Sequence, residues 1–369
     1  MTEKSSDKKG LYIHIPFCLS KCAYCDFYSL PKINDEILDS YVEALIRESE
    51  KYEGVMCDTL YIGGGTPTLL GGQRIYKLVN KMRERFGDFT EATLEGNPAD
   101  ELFDTFNWAK KAGINRVSLG VQGSNEKELK ALSRRHTNGE VKNAVATARA
   151  SGINNISLDL MLGIPYQTAD SLSRSIDFLL SLSPQHISAY MLSLESGTPL
   201  CENRDRYPFP SEDEVCGLYH FASEKLKSNG FCRYEISNFS KEGYESRHNL
   251  KYWKSGEYIG LGAAAHGFLK GRRYCYEKDL NKFINAPEIT DMGEGTDAEM
   301  FAALRLRLSE GLDISEFEKL YGSLPAAFFE KAKYLQKNGF CEIYGNRLKI
   351  TEKGILISNK IISELLYEL

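Results

Sequence analysis

Six short runs rich in β-branched and aromatic residues recur through the first half of the 369-residue chain: Leu11 to Ile15, Thr59 to Ile62, Ala92 to Glu95, Arg116 to Gly120, Asn155 to Leu160 and His186 to Met191. Between them lie longer stretches with helical spacing of apolar residues, such as Ile37 to Lys51, Ile75 to Phe86, Leu102 to Lys111, Gly139 to Ala150 and Ser171 to Leu180. Strands joined by helices of this length predict a parallel sheet with right-handed crossovers. An internal echo supports the unit: Ala112-Gly113-Ile114-Asn115 and Ser151-Gly152-Ile153-Asn154 each place a glycine where a helix ends in a left-handed cap, then an apolar residue that starts the return to the sheet. Six units to about residue 195 make either a partial TIM-type (β/α)6 barrel or an open doubly wound sheet. In both, function gathers at the carboxyl ends of the strands.

The composition, 42% hydrophobic and 26% charged, is that of an α/β globular protein and leaves no room for disorder or collagen-like order. No stretch approaches the roughly 18 apolar residues of a membrane-spanning helix. The opening Met1 to Gly10 carries Lys4, Lys8 and Lys9 with no apolar region behind them, so a cytoplasmic location is expected. A formal net charge of -5 argues against nucleic acid as a partner.

The chain turns loop-rich from Glu195 to Pro210, where Gly197, Pro199, Pro208 and Pro210 break regular elements. A helix is expected over Glu212 to Ser228, then a segment dense in aromatics and glycines from Phe231 to Phe268. Further helices follow at Asp297 to Leu308, Ile314 to Tyr321 and Ala326 to Lys337. The runs Phe340 to Tyr344 and Arg347 to Thr351 read as a hairpin turned at Gly345-Asn346, and Lys353 to Leu366 as a last helix. This order is that of a winged-helix module, with too little positive charge for a DNA reader.

Nine cysteines are unevenly spread. Cys18, Cys22 and Cys25 form C-x3-C-x2-C directly after the first strand, and the other six are scattered singly. Three thiolates can hold a 4Fe-4S cluster that keeps one iron open for another ligand. Three other readings stay open on spacing alone: buried thiols, a zinc site completed by His14, or a cluster closed by a remote cysteine.

The flanking residues narrow this. Tyr12-Ile-His14-Ile-Pro16-Phe-Cys18 and Cys22-Ala-Tyr24-Cys25-Asp-Phe27 resemble the opening of the radical S-adenosylmethionine (SAM) superfamily, in its branch of oxygen-independent coproporphyrinogen III oxidases and HemW-type heme chaperones. The resemblance continues in order through Gly63-Gly64-Gly65-Thr66-Pro67, Glu95-Gly-Asn97-Pro98, Gly120-Val-Gln122, Asp159-Leu-Met161-Leu-Gly-Ile-Pro165, Ser188-Ala-Tyr190, Tyr234-Glu235-Ile-Ser237-Asn238 and His248-Asn249-Leu-Lys-Tyr252-Trp253. It spans about 270 residues and fades over the C-terminal 100.

The resemblance implies a radical SAM core over 11–210 behind a polar tail (1–10), an extension over 211–295 carrying the HNxxYW segment, and a winged-helix-like domain over 296–369. It implies a 4Fe-4S cluster on Cys18, Cys22 and Cys25, and SAM contacts at Tyr12, Tyr24, Gly64, Gly65, Thr66, Glu95, Gln122, Arg134 and Asp159. Carboxylates suit the ammonium or ribose hydroxyls of SAM, and Arg134 suits its carboxylate. Phe27 stands where the oxidases have a further cysteine, and the chain starts about ten residues before its first strand, without their longer N-terminal extension. Both departures point to a heme chaperone that delivers heme to an acceptor hemoprotein, with the oxidase as the rival reading. The chaperone reading brings an electron donor for the cluster as a partner, and membrane association only through a partner. It makes His248 the first candidate for a heme ligand and His266 the second, with His14 ordering the cluster loop.

Overall fold

The structure is a computed structural model that describes residues 8–31 and 34–369. Most of the polar tail expected over residues 1–10 lies outside the described residues, and Lys9 and Gly10 already belong to the first strand.

The six expected strands all form: β1 (Lys9–Ile15), β2 (Cys57–Gly64), β3 (Glu91–Gly96), β4 (Arg116–Gln122), β5 (Asn155–Leu162) and β6 (His186–Met191). They pair in parallel in chain order. The helices between them run Asp35–Glu48, Gly72–Phe86, Phe103–Ala112, Asn138–Ala150 and Ala169–Ser181. Thr137 with Glu140, and Thr168 with Ser171, form reciprocal capping boxes that fix two of these helix starts. Gly113 (φ 105°) and Gly152 (φ 84°) take the left-handed conformations expected of the repeated helix ends.

The extension does more than follow the core, because it lengthens the sheet at both edges. Two short strands, β7 (Cys232–Arg233) and β8 (Asn238–Ser240), add antiparallel beyond β6. On the other side β9 (Tyr258–Leu261) pairs parallel with β1, and β10 (His266–Leu269), β11 (Arg272–Tyr276) and β12 (Ile289–Glu294) continue antiparallel. The result is a twelve-stranded sheet in the order β12-β11-β10-β9-β1-β2-β3-β4-β5-β6-β8-β7.

Side-chain alternation sorts the two faces of the parallel strands. Val117, Leu119, Ile156, Leu158, Leu160, Ile187 and Ala189 are buried in the hydrophobic core shared with the helices. Their neighbours Arg116, Ser118, Asp159, Ser188 and Tyr190 line a cavity on the opposite face. Parallel strands are usually apolar on both faces, so this polar inner face marks the working side of the sheet.

One loop expectation and one helix expectation are corrected. Pro199 does not break structure but opens a one-turn helix, Pro199–Glu202, capped by Thr198, because proline at the first helical position gives up no bonded N–H. The last helix is interrupted, with Glu352–Ile355 followed by Ser358–Leu366. The C-terminal segment holds helices Ala298–Arg305, Ile314–Tyr321 and Ala326–Lys337 and three strands, β13 (Leu312–Asp313), β14 (Cys341–Tyr344) and β15 (Arg347–Ile350), ordered β13-β15-β14. The unexpected β13 pairs with the hairpin and completes a three-stranded wing.

The HNxxYW segment forms a short helix, Arg247–Trp253, set at the amino-terminal ends of β2 and β3. Glu91, at the start of β3, accepts hydrogen bonds from the backbone N–H groups of Arg247 (3.0 Å) and His248 (2.9 Å). Glu91→Ala would strand buried donors at the start of this helix, and we expect a loss of about 2–4 kcal/mol in chemical denaturation. An unchanged denaturation midpoint would show that water replaces the carboxylate at no cost.

Candidate active site

The exits of β1 and β2 are laced together. Gly65 N–H donates to Ile15 O (2.8 Å) and Thr66 N–H to Phe17 O (2.7 Å). This close approach explains the glycines: a Cβ on Gly65 would stand 2.6 Å from Phe17 O, and one on Gly64 would stand 2.5 Å from the His14 ring, at a φ of 111°. The lacing brings Thr66 Oγ1 to 3.6 Å from Cys18 Sγ. The rest of the cysteine loop is pinned by Ala23 N–H on Leu132 O and Leu200 N–H on Ala23 O.

Cys18, Cys22 and Cys25 line one cavity of about 520 Å³ at the carboxyl ends of the parallel strands, within the range that suits a small-molecule ligand. Tyr24, Gly64, Gly65, Thr66, Glu95, Gln122, Arg134 and Asp159 line it as well. Of the expected SAM contacts Tyr12 alone is set back, with its ring 6.3 Å from that of Tyr61.

No three His, Cys, Asp or Glu side chains among the described residues converge as the ligands of a single metal ion would. A 4Fe-4S cluster asks for a different arrangement, thiolates spread over separate irons, and three thiols around one cavity fit that demand. Arg134 Nη1 donates to Cys22 Sγ at 3.4 Å, a contact suited to an anionic sulfur. His14 does not join the thiols. Its Nε2–H donates to Tyr28 O (3.0 Å), which leaves Nδ1 to accept from the Tyr12 hydroxyl (2.9 Å). His14 thus braces the loop from behind.

Asp26, Glu95, Asp159 and Glu195 line the cavity, and Glu95 and Asp159 are the two among the expected contacts. Glu95 accepts from the Tyr61 hydroxyl (2.6 Å) and Gly64 N–H (3.2 Å), and Asp159 from Ser118 Oγ (3.3 Å). Burial pushes Glu95 up to about 7 and Asp159 up to about 6, against the pull of these donors. A cationic ligand in the cavity would restore both to the ionised form. Gln122 has a left-handed φ of 68° at an irregularity in the β4–β5 register, and its Oε1 accepts from the Tyr190 hydroxyl at 2.9 Å. Strained non-glycine backbone of this kind collects at binding sites.

His248, the first candidate heme ligand, does not line this cavity. His248 is fully buried, with Nδ1 2.9 Å from Thr59 Oγ1 and Nε2 2.7 Å from the Tyr252 hydroxyl. Neither ring nitrogen is free for iron, and burial pushes its pKa down to about 3, which keeps the ring neutral. Tyr252 therefore holds His248. His266 stands exposed at the start of β10. Ser188, from the Ser188-Ala-Tyr190 motif, also lines the cavity, as do Arg116 and Tyr61, which no sequence pattern marks. The one signal available is an arginine opening a strand whose neighbours are apolar.

Comparison with known proteins agrees with this architecture. Residues 12–179 match the radical SAM superfamily and residues 296–357 the HemN C-terminal domain. The chain is 34% identical to heme chaperone HemW of Bacillus subtilis over 98% of this chain and 100% of that one. It is 33% identical to the Escherichia coli heme chaperone HemW (97% and 98%) and 32% identical to that of Lactococcus lactis (97% of each). The structure of coproporphyrinogen III oxidase (HemN) from Escherichia coli, a radical SAM enzyme, superposes with a TM-score of 0.83 at 22% identity over 99% of this chain and 91% of that one. That likeness fixes the fold, and the full-length identities fix the branch: the chain belongs to the HemW family of radical SAM proteins.

Proposed function

We propose that this chain is a heme chaperone of the cytoplasm, which holds a 4Fe-4S cluster on Cys18, Cys22 and Cys25, binds SAM beside it, and passes heme to an acceptor hemoprotein. The observation that carries the reading is the convergence of three thiols, the Gly64–Thr66 loop and the polar groups of Glu95, Gln122, Arg134 and Asp159 on one cavity. Among the described residues no helix is long and apolar enough to cross a membrane, and we assign any contact with a membrane to a partner.

When bound, the reduced cluster and SAM together supply one-electron chemistry at the sulfonium. The chain's own part is to hold and shield them. Gly64 and Gly65 let the backbone close over the ligand, Glu95 and Asp159 offer negative charge to its cationic groups, and Arg134 offers donors to a carboxylate or to Cys22. An electron donor would dock where the cysteine loop is open: Phe27 is 63% exposed and Leu19 54%. Phe27, where the oxidases have a cysteine, offers no thiol there. That is why we place carriage of heme above decarboxylation of a porphyrinogen.

Anaerobic reconstitution tests both halves. Cys18→Ala, Cys22→Ala or Cys25→Ala should each abolish the absorbance near about 400 nm and the bound iron and sulfide that the parent acquires. The cluster-loaded parent, given reductant, SAM and coproporphyrinogen III, should release no protoporphyrinogen at a catalytic rate; steady turnover would establish the oxidase instead.

Heme titration separates the two candidate histidines. His248→Ala should cost about 2–4 kcal/mol of stability, because Thr59 and Tyr252 lose their shared partner, while the folded variant keeps the heme affinity of the parent. His266→Ala should weaken heme binding about tenfold or more, since this imidazole is exposed. Loss of heme binding in His248→Ala at unchanged stability would return the ligand to the buried helix.

A further inference from the structure

Arg116 is the largest side chain fully buried among the described residues, and it is a cation. It projects from the start of β4 into the lower part of the cavity. Its one hydrogen bond is from Nη1 to Thr93 Oγ1 at 3.4 Å, and its Nε has no partner. No carboxylate lies within ion-pair distance of it among the described residues. Burying a charge without a paired partner is costly.

That field falls on Glu95 and Asp159, which share the cavity wall with Arg116. Coulombic attraction weakens only slowly with distance where water is excluded, so a fixed cation can act without touching. We propose that Arg116 is a positioning residue: its permanent charge on the cavity wall favours the carboxylate form of Asp159 and, less strongly, of Glu95, and so sets the pH range over which the cavity accepts a cationic sulfonium ligand. The proposal rests on the reading of this cavity as a SAM site, and it assigns a role to a residue outside the expected contact set.

Other groups act on the same carboxyls: the Tyr61 hydroxyl and Gly64 N–H lower Glu95 more than Arg116 does. Arg116 is the first of the groups lowering Asp159, ahead of Ser118, Ser188 and Arg134, and Lys21, Asp26 and Glu195 also line the cavity. Glu95 faces Tyr61 and Gly64 from β2, Tyr12 from β1, Tyr252 from the Arg247–Trp253 helix, and Asp159 across the cavity. Asp159 faces Ser118 and Ser188, with Tyr24, Tyr61 and Tyr190 around it. All of these tyrosines are held protonated by burial. His186 and His248, which also feel Arg116, are held neutral. Arg134, which also acts on Asp159, is engaged with Cys22 Sγ and Gly120 O, and Lys21 is the third cation on the cavity wall. Burial raises both carboxyl groups, and Arg116 opposes that rise in each.

The sign follows. A carboxyl group with a raised pKa is ionised only above that value, so affinity for a cationic ligand grows as pH climbs through about 6 to 7 and then levels off. Without Arg116 the same rise moves to higher pH. Calorimetric titration of SAM into the cluster-loaded protein, from about pH 5.5 to about pH 9, measures this directly. Arg116→Gln should bind SAM about tenfold more weakly near pH 7 and recover toward the parent near pH 9, as a shift of about one unit requires. Arg116→Lys should keep the parent profile. A uniform loss at every pH, as from a merely structural role, or no change in Arg116→Gln would overturn the proposal. If neither Arg116→Gln nor Arg116→Met folds, the parent profile decides alone, since affinity that is flat across this range also overturns it. Failure of the parent to bind SAM at any pH is a distinct result, and it removes the functional reading together with the proposal built on it.

Discussion

Two backbone hydrogen bonds, Gly65 N–H to Ile15 O and Thr66 N–H to Phe17 O, hold the working end of this protein together. They join the loops leaving β1 and β2, and each loop brings half of what the site needs. One carries the three thiols, the other the glycine backbone against which a ligand can lie. The bonds form only if the chains approach to a distance that excludes a Cβ at 64 and 65. Any other residue there would separate the loops or strain a backbone already at a left-handed φ. The glycine run is therefore a packing requirement of the protein before it is a ligand contact, and His14 is part of it, since its ring fills the space a Gly64 side chain would occupy.

The second constraint is the polarity of the inner face. A parallel sheet with Arg116, Glu95, Asp159, His186 and Ser157 on one side cannot close over a dry apolar core. Each group has to be bonded, neutralised or left facing a cavity. The structure uses all three solutions. His186 is bonded at both ring nitrogens, by Ser157 (2.7 Å) and Tyr234 (2.8 Å). The carboxyl groups have raised pKa values, and the arginine faces the cavity. Packing that would be a defect in a purely structural sheet gives this one a site where charge on a ligand is felt strongly.

Most of the fold is legible in the sequence, because its signals are local. Strand runs bounded by glycine and helices with recurrent apolar faces need no knowledge of the rest of the chain, and the six strands lie within a few residues of where periodicity puts them. The extension is not legible. Asn238–Ser240 and Tyr258–Leu261 are short and become strands because edges of an existing sheet accept them, the second beside β1, from which it is separated by more than two hundred residues. The site divides the same way. The cysteine spacing and the glycine run are patterns within single loops, and both loops line the one cavity. The place of His248 depends on Thr59 and Tyr252, one of them remote in sequence, and no pattern of residue types distinguishes a histidine bonded at both nitrogens from one open to iron.

The Arg247–Trp253 helix shows how these constraints combine. Without it the amino-terminal ends of β2 and β3 would open the polar inner face to water from below, and the field of Arg116 would be screened. The helix supplies His248 to Thr59 and Tyr61, Tyr252 to His248, and its first N–H groups to Glu91. Asn249, on the same helix, reaches the cavity wall. The segment that the resemblance ties to heme thus also meets the cavity wall in this structure, through Asn249. Its composition suits that position. A floor beneath charged groups must be polar enough to be bonded and bulky enough to exclude water, and His248, Asn249 and Tyr252 on this helix meet both demands.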